Sequence, residues 1–303
     1  MITDLDSLKI NFSPSGLVVL NIILGLIMFG ISLELTRTDF TNLISNKKTT
    51  MVGLLAHFVL LPMLTFLLIK LLHPCPSVAL GMLLVGCCPG GNMSNMFTHF
   101  AKGNTALAVG LTSVSHLLAV ILTPLNFSFY GSLDNSTASL LHQIHLSFSD
   151  VFQTIFLVVI IPLTAGMLLN HFRPIVSGKL NGVMKRFSLM AFAVFLIAAF
   201  AGNATIFVAT LGVILPLVVI HNAVALAGGY IFARLAKLNF RDCKTIAFET
   251  GIQNSGLGLI LIFTFFNGLG GMALVAAYWG VWHLISGGTL AYIWGKQSRV
   301  FGE

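Results

Sequence analysis

The chain has 303 residues, 56% of them apolar and only 8% charged, with a mean hydropathy of +0.95. A soluble domain carries about 25% charged residues, so this chain holds about a third of the charge that a water-facing surface needs. A water-soluble enzyme, a disordered tail and a disulfide-stapled secreted module are excluded; what remains is an integral membrane protein divided into spans of about 20 residues.

The first stretch, Met1 to Pro14, is polar and weakly acidic, unlike the basic start of a signal peptide. Nine apolar spans follow, near 15–35, 51–72, 77–100, 105–128, 150–170, 187–203, 205–233, 245–267 and 271–295. The gaps 36–50, 101–104, 171–186 and 234–244, and the tail after 295, carry basic residues, whereas those near 73–76, 129–149, 203–204 and 268–270 do not. Fourteen of the sixteen Lys and Arg belong to the first set, Lys9 and Lys70 being the exceptions. This alternation reads the net charge of +7 as orientation in a membrane rather than affinity for nucleic acid. It predicts a multi-pass protein of the cell (inner) membrane with the N-terminus outside and the C-terminus in the cytoplasm. Cys75, Cys87, Cys88 and Cys243 show no CxxC spacing and read as small apolar residues.

The third and eighth spans are interrupted. The third carries Pro89-Gly90-Gly91 near its centre, followed by Asn92, Ser94 and Asn95. The eighth holds Glu249, Gln253, Asn254 and Ser255 around Gly251 and Gly256. Proline and glycine weaken helical hydrogen bonding, and in hydrocarbon a freed backbone group costs several kcal/mol unless it lines a cavity or binds something. Two interrupted segments in the two halves of a chain point to a midplane site between inverted repeats. Pro62 and Pro216, in the spans preceding the broken ones, suit such a repeat.

Glu249 is the only carboxylate well inside an apolar block. Its burial costs roughly 2.5–3.5 kcal/mol, and no Lys or Arg lies at matching depth to offset it. A bound cation, or a proton on the carboxylate, is left as compensation. Carboxylate, amide and hydroxyl oxygens from Asn92, Ser94, Asn95 and Thr112 are hard ligands that suit Na⁺ rather than zinc or copper. Helix N-termini exposed at the breaks suit a carboxylate substrate. His57, His116, His221 and His283 lie within spans, where a histidine joins helices or carries protons. His142 and His145, spaced three apart in a loop, are too sparse for a metal site. No HExxH, GxSxG or paired carboxylate falls within the spans, so an intramembrane enzyme is disfavoured.

The strings Gly86-Cys-Cys-Pro-Gly-Gly-Asn-Met-Ser-Asn95, Ala101-Lys-Gly-Asn-Thr-Ala-Leu107 and Glu249-Thr-Gly-Ile-Gln-Asn-Ser-Gly-Leu257 resemble the bile acid:sodium symporter family. The likeness runs from about residue 20 to 295, with weaker support from Ile27-Met-Phe-Gly-Ile-Ser-Leu33 and Trp282-His-Leu-Ile-Ser-Gly287. It implies an all-α membrane protein of nine transmembrane helices, as in the liver transporter, where bacterial relatives have ten. The inverted-repeat core would hold two discontinuous crossing helices beside a panel domain. By that resemblance 1–14 is an extracellular segment, 15–50 the first panel helix and its loop, and 51–128 the first half of the core. Residues 150–203 supply panel helices five and six, 205–295 the second half of the core, and 296–303 a cytoplasmic tail.

The resemblance also implies ligands. A first sodium site would comprise Ser94, Asn95, Thr112 and Glu249, with a family serine replaced by Ala108. A second would comprise Glu249, Gln253, the backbone oxygens of Thr250 and Ile252, and His57 where the family has glutamine. Asn92, Asn254 and His283 would face the substrate, with Leu284 where an asparagine is common. The expected activity is sodium-coupled symport of organic anions, bile acids or smaller monocarboxylates, by alternating access. The alternative is a proton-coupled or facilitative organic-anion carrier using Glu249 or His57.

Overall fold

The computed structural model describes residues 5–10, 14–33, 43, 45–144 and 148–300. Among these the regular elements are all helical. Helix α1 (Pro14–Ser32) is followed by α2 (Lys47–Leu72), the half-helices α3 (Pro76–Cys87) and α4 (Met93–Phe100), and α5 (Thr105–Ser132). A short α6 (Asn135–Ile144) leads to α7, which is built from Phe148–Ile155, Phe156–Ile160 and Ile161–Phe172. Then come α8 (Pro174–Gly202), α9 (Ala204–Leu235), the half-helices α10 (Phe240–Gly251) and α11 (Ser255–Phe265), and α12 (Gly270–Val300). Both interrupted spans are thus broken where their Pro-Gly and Gly-rich motifs lie.

Among the described residues, four helices are long and apolar enough to cross a bilayer unaided: Lys47–Leu72, Thr105–Ser132, Phe152–Phe172 and Ala204–Leu235. Leu71, Phe172, Val208 and Leu235 are each at least 70% exposed, far more apolar side chain than water tolerates on one surface. Lipid is the solvent for these faces, and the chain is a multi-pass membrane protein.

Proline shapes α2 in a way that matters for the site. Pro62 has no N–H and frees the carbonyl of Phe58 one turn back. The helix widens into a π turn over Ala56–Leu60, and Asn126 Nδ2 of α5 donates to the freed oxygen at 2.8 Å. The same Ile/Leu-Pro pattern at Pro162 follows the π turn Phe156–Ile160 of α7. The turns after α4 and α9 share one sequence, Ala-Lys-x-Asn. Lys102 and Lys237 both take φ 57°, and the next residue bonds back to Thr98 O (2.8 Å) or Ala233 O (3.1 Å). Asn104 and Asn239 then cap the following helix through Leu107 N and Asp242 N.

Three boundaries differ from the sequence expectation. The gap 129–149 contains α6, held by Thr137 Oγ1 donating to Gly131 O at 2.7 Å, with Leu140 and Leu141 packed on the core. The basic stretch 174–186 is the first turns of α8, since proline at its start is suited to a helix N-terminus. Helix α10 begins at Phe240, so Lys244 is buried instead of lying in a loop; its Nζ donates to Ala101 O at 2.8 Å and sits over the Phe240 ring. Lys70, one of the two cations outside the basic loops, pairs with Asp134. That lysine, with the Ser136 hydroxyl, holds the Asp134 carboxyl well below the usual carboxylate range.

Helix α1 packs on α7 and α8, while α3 lies on α12, α9 on α10, and α4 between α10 and α12. Residues 5–10 are docked rather than free: Ile10 N donates to Gly268 O at 2.9 Å, and Asp6 Oδ1 accepts from Ser77 N at 2.7 Å at the start of α3. The α1–α7 contact is close. A Cβ on Gly166 would stand 2.6 Å from Phe29 O, closer than packing allows. Gly166→Ala is therefore expected to cost about 1–3 kcal/mol, seen as a lowered melting midpoint in detergent. Gly212→Ala, with nothing within 4 Å, should leave it unchanged or slightly raised.

Candidate functional site

The two breaks cross and pair with each other. Gly91 N donates to Ile252 O at 2.7 Å, Asn254 N donates to Pro89 O at 2.9 Å, and Gly90 and Gln253 form an antiparallel bridge. Close approach requires glycine here: a Cβ on Gly91 would lie 2.9 Å from Gln253 O, and one on Gly90 would lie 3.1 Å from Glu249 Oε2. With no water in the hydrocarbon, the carbonyls left at each half-helix C-terminus must find partners within the protein. All of them do. Cys87 O accepts from Thr123 Oγ1 (2.7 Å), Thr250 O from Gln253 Nε2 (2.7 Å) and Gly251 O from Asn222 Nδ2 (2.7 Å). The His57 ring meets one carbonyl from each half, with Nε2 3.0 Å from Cys88 O and Nδ1 3.1 Å from Glu249 O. The π turn of α2 carries His57 to this position.

Beside the crossing, oxygens converge. Glu249 is 2% exposed; Ser94 donates to its Oε1, and Thr112 Oγ1 lies 3.0 and 2.9 Å from Oε1 and Oε2. Thr112 Oγ1 is also 3.2 Å from Asn95 Oδ1 and 3.4 Å from Ser94 Oγ. Two hydroxyl protons serve three acceptor oxygens, so the cluster has more lone pairs than hydrogens. Among the described residues no lysine or arginine pairs with the carboxylate, and no group of three or more His, Cys, Asp or Glu could hold a metal ion. Ser94, Asn95, Thr112 and Glu249, residues from α4, α5 and α10, therefore lie together beside the crossing. Ala108, one turn before Thr112, is fully buried and adds no oxygen.

Gln253 Oε1, Ser255 Oγ, Asn92 Oδ1 and His283 Nδ1 are buried without a hydrogen-bond partner. Of the residues expected to face substrate, Asn92 and His283 thus carry unspent polar atoms at the crossing and on α12. Asn254 is committed: its Oδ1 caps α11 through Leu257 N at 3.0 Å, and its Nδ2 donates to His116 Nε2 at 3.3 Å. His116 Nδ1–H donates in turn to Thr112 O at 2.7 Å, so this ring joins the α11 cap to the ligand helix. His221 joins helices too, through Thr65 at 2.7 Å. His145 lies outside the described residues.

The sequence reading missed Asn222, Ser115 and Ser286. Asn222 Oδ1 accepts from Ser286 Oγ at 2.6 Å, which locks the amide toward Gly251 O. Ser115 Oγ lies 3.6 Å from the position of a Cβ on Gly90, near the Glu249 carboxylate. A signal for Asn222 existed: it precedes its carbonyl partner by 29 residues, much as His57 precedes Cys88 by 31.

Half-helices crossed inside a lipid-facing helical bundle, with a lone carboxylate among oxygens at the crossing, define a membrane transporter rather than an enzyme. The chain belongs to the Sodium Bile acid symporter family, whose sequence profile matches residues 21–210. It is 34% identical over 280 residues to the uncharacterized sodium-dependent transporter YocS of Bacillus subtilis (strain 168), covering 92% of this chain and 84% of that one. It is 34% identical to the probable sodium/metabolite cotransporter BASS1, chloroplastic, of Arabidopsis thaliana, over 91% of this chain and 66% of the relative. Identity to the ileal sodium/bile acid cotransporter of Homo sapiens is 30%, over 79% of this chain and 67% of that protein. Relatives of this family are transporters.

Removing the α11 cap is a test of the crossing. Asn254→Ala loses both the bond to Leu257 N and the one to His116, and about 1–2 kcal/mol of stability is expected to go with them, measured by thermal unfolding in detergent. Asn254→Asp, which keeps the capping oxygen, should retain more of it than Ala does.

Proposed function

We propose that this chain is a sodium-coupled symporter of organic anions, bile acids or smaller monocarboxylates, that works by alternating access. One observation carries the reading: a buried carboxylate, Glu249, is surrounded by the oxygens of Ser94, Thr112 and Asn95 with no basic side chain bonded to it. A unit charge in a site of low dielectric needs a counter-charge, and hard oxygen donors select an alkali or alkaline-earth cation. Sodium is the ion named for the relatives from Bacillus subtilis, Arabidopsis thaliana and Homo sapiens.

The N-termini of α4 and α11 both start at the crossing, so their positive dipole ends suit the acidic group of an organic anion. The names of the relatives include a bile acid cotransporter and metabolite cotransporters, which frames the substrate class as bile acids or smaller organic anions. Nine crossings with the N-terminus outside and the C-terminus cytoplasmic, in the cell (inner) membrane, accord with the basic-loop pattern. The packing of α1 chiefly on α7 and α8 supports a panel against which a core of spans two to four and seven to nine moves. In that cycle the cation neutralises Glu249 and draws α4, α5 and α10 together, and the anion then meets the half-helix ends before the core moves.

The experiment is uptake of labelled taurocholate, pantoate or pyruvate into proteoliposomes containing the purified protein. An inward sodium gradient should drive accumulation of at least one of them, and Glu249→Ala should abolish it. Thr112→Val, which keeps the shape and removes an oxygen, should raise the sodium needed for half-maximal uptake by about tenfold, the equivalent of one hydrogen bond to a charged group. Accumulation driven by a pH step in sodium-free buffer, or uptake indifferent to both sodium and Glu249, would reject the reading.

A further inference from the structure

We infer that the His57 ring fills the place between the two half-helix ends where a second cation would bind, so that one sodium ion crosses per cycle. The inference rests on the sodium-coupled reading above and adds its stoichiometry. The C-terminal ends of α3 and α10 are negative dipole ends, and converging carbonyls at such ends of broken membrane helices are a place for a cation. Here one carbonyl from each, Cys88 O and Glu249 O, converges on a single object, the imidazole of His57, at 3.0 and 3.1 Å.

Imidazole donates through one nitrogen when neutral and through both when charged. In both states its ring takes up the gap and offers a cation no oxygen. Of the remaining candidate oxygens, Thr250 O already accepts from Gln253 Nε2 and Ile252 O from Gly91 N, which leaves each a single lone pair. Gln253 Oε1 is the one oxygen of that set without a partner, and it and two half-committed carbonyls are too few to replace a hydration shell.

The other half of the molecule supports reading His57 as a fixed part. Asn222, on the helix before the second break, donates to Gly251 O at the end of α10 as His57 meets Cys88 O beyond the end of α3. Each repeat thus closes its broken end with a side chain from its preceding helix. His57 differs in reaching both ends at once. The aromatic edge contact with Phe58, centroids 4.7 Å apart, and full burial hold the ring in place. The Glu249 carboxylate keeps its oxygen cluster with Ser94 and Thr112, the cation position left among the described residues.

Two measurements on the whole protein test this. The first is a sodium titration of the melting midpoint without substrate, in which the slope of stability against the logarithm of sodium activity counts ions bound to the folded state. Wild type should show one ion and His57→Gln two. The second is steady-state accumulation of whichever of taurocholate, pantoate or pyruvate is taken up, with a tenfold sodium gradient and the membrane potential clamped at zero. One coupled ion gives about tenfold accumulation and two about a hundredfold.

Wild type near tenfold with a one-ion slope, and His57→Gln rising toward a two-ion slope, is the expected pair of results. Wild type near a hundredfold overturns the inference while leaving sodium coupling intact. No response to sodium in either assay defeats the sodium-coupled reading instead. A folded His57→Gln that still binds one ion shows that the ring is not what excludes the second, and the assignment to His57 fails. His57→Asn is the second variant if the first does not assemble, and the wild-type slope and ratio by themselves decide the ion count.

Discussion

Hydrocarbon offers no hydrogen bonds, and that constraint governs the centre of this molecule. A helix broken at mid-membrane exposes carbonyls and N–H groups that cost several kcal/mol each if left alone. The chain breaks two helices and turns the breaks toward each other, so that Gly91 and Asn254 N–H groups bond to Ile252 and Pro89 across the crossing. What the crossing leaves over is taken by side chains placed for the purpose: Thr123, His57, Gln253 and Asn222. The site lies where these bonds gather, with one carboxylate beside them.

The same economy explains why proline and glycine sit where they do. Pro62 opens a π turn that carries His57 to the crossing, and the carbonyl it frees is met by Asn126. Gly90 and Gly91 are small because backbone and carboxylate come within 3.1 Å of where their side chains would be. Residues that weaken a helix in isolation are the ones that let two helices meet end to end. Histidines, in turn, serve different ends: His116 and His221 tie helices together through Thr112 O and Thr65, whereas His57 bridges two broken ends.

Helix α1 packs chiefly on α7 and α8 and also touches the half-helix α11, while α7 packs on α5 as well. The contact at Gly166 is tight and small-residue in character, as expected where lipid supplies no driving force for helix association and close backbone approach must supply it. Residues 5–10 bond to Gly268 and to the start of α3, so the polar N-terminal segment braces the start of α3 against the loop before α12.

Composition by itself determined the membrane class, because charge at 8% cannot cover a water-facing surface. Local sequence also determined where the helices break, since Pro89-Gly90-Gly91 and Gly251 act through the backbone over one turn, and it marked Glu249, whose solitude is visible along the chain. The partners of Glu249 were named from family resemblance; geometry alone brought Ser94 and Thr112, 155 and 137 residues away, within reach of it. Asn222, Ser115 and Ser286 went unread because a small polar residue in an apolar span has no local signature: its meaning is the carbonyl it faces, and that carbonyl belongs to another helix. The role of His57 was decided in the same way, by two oxygens from two half-helices that only the folded crossing brings to one ring.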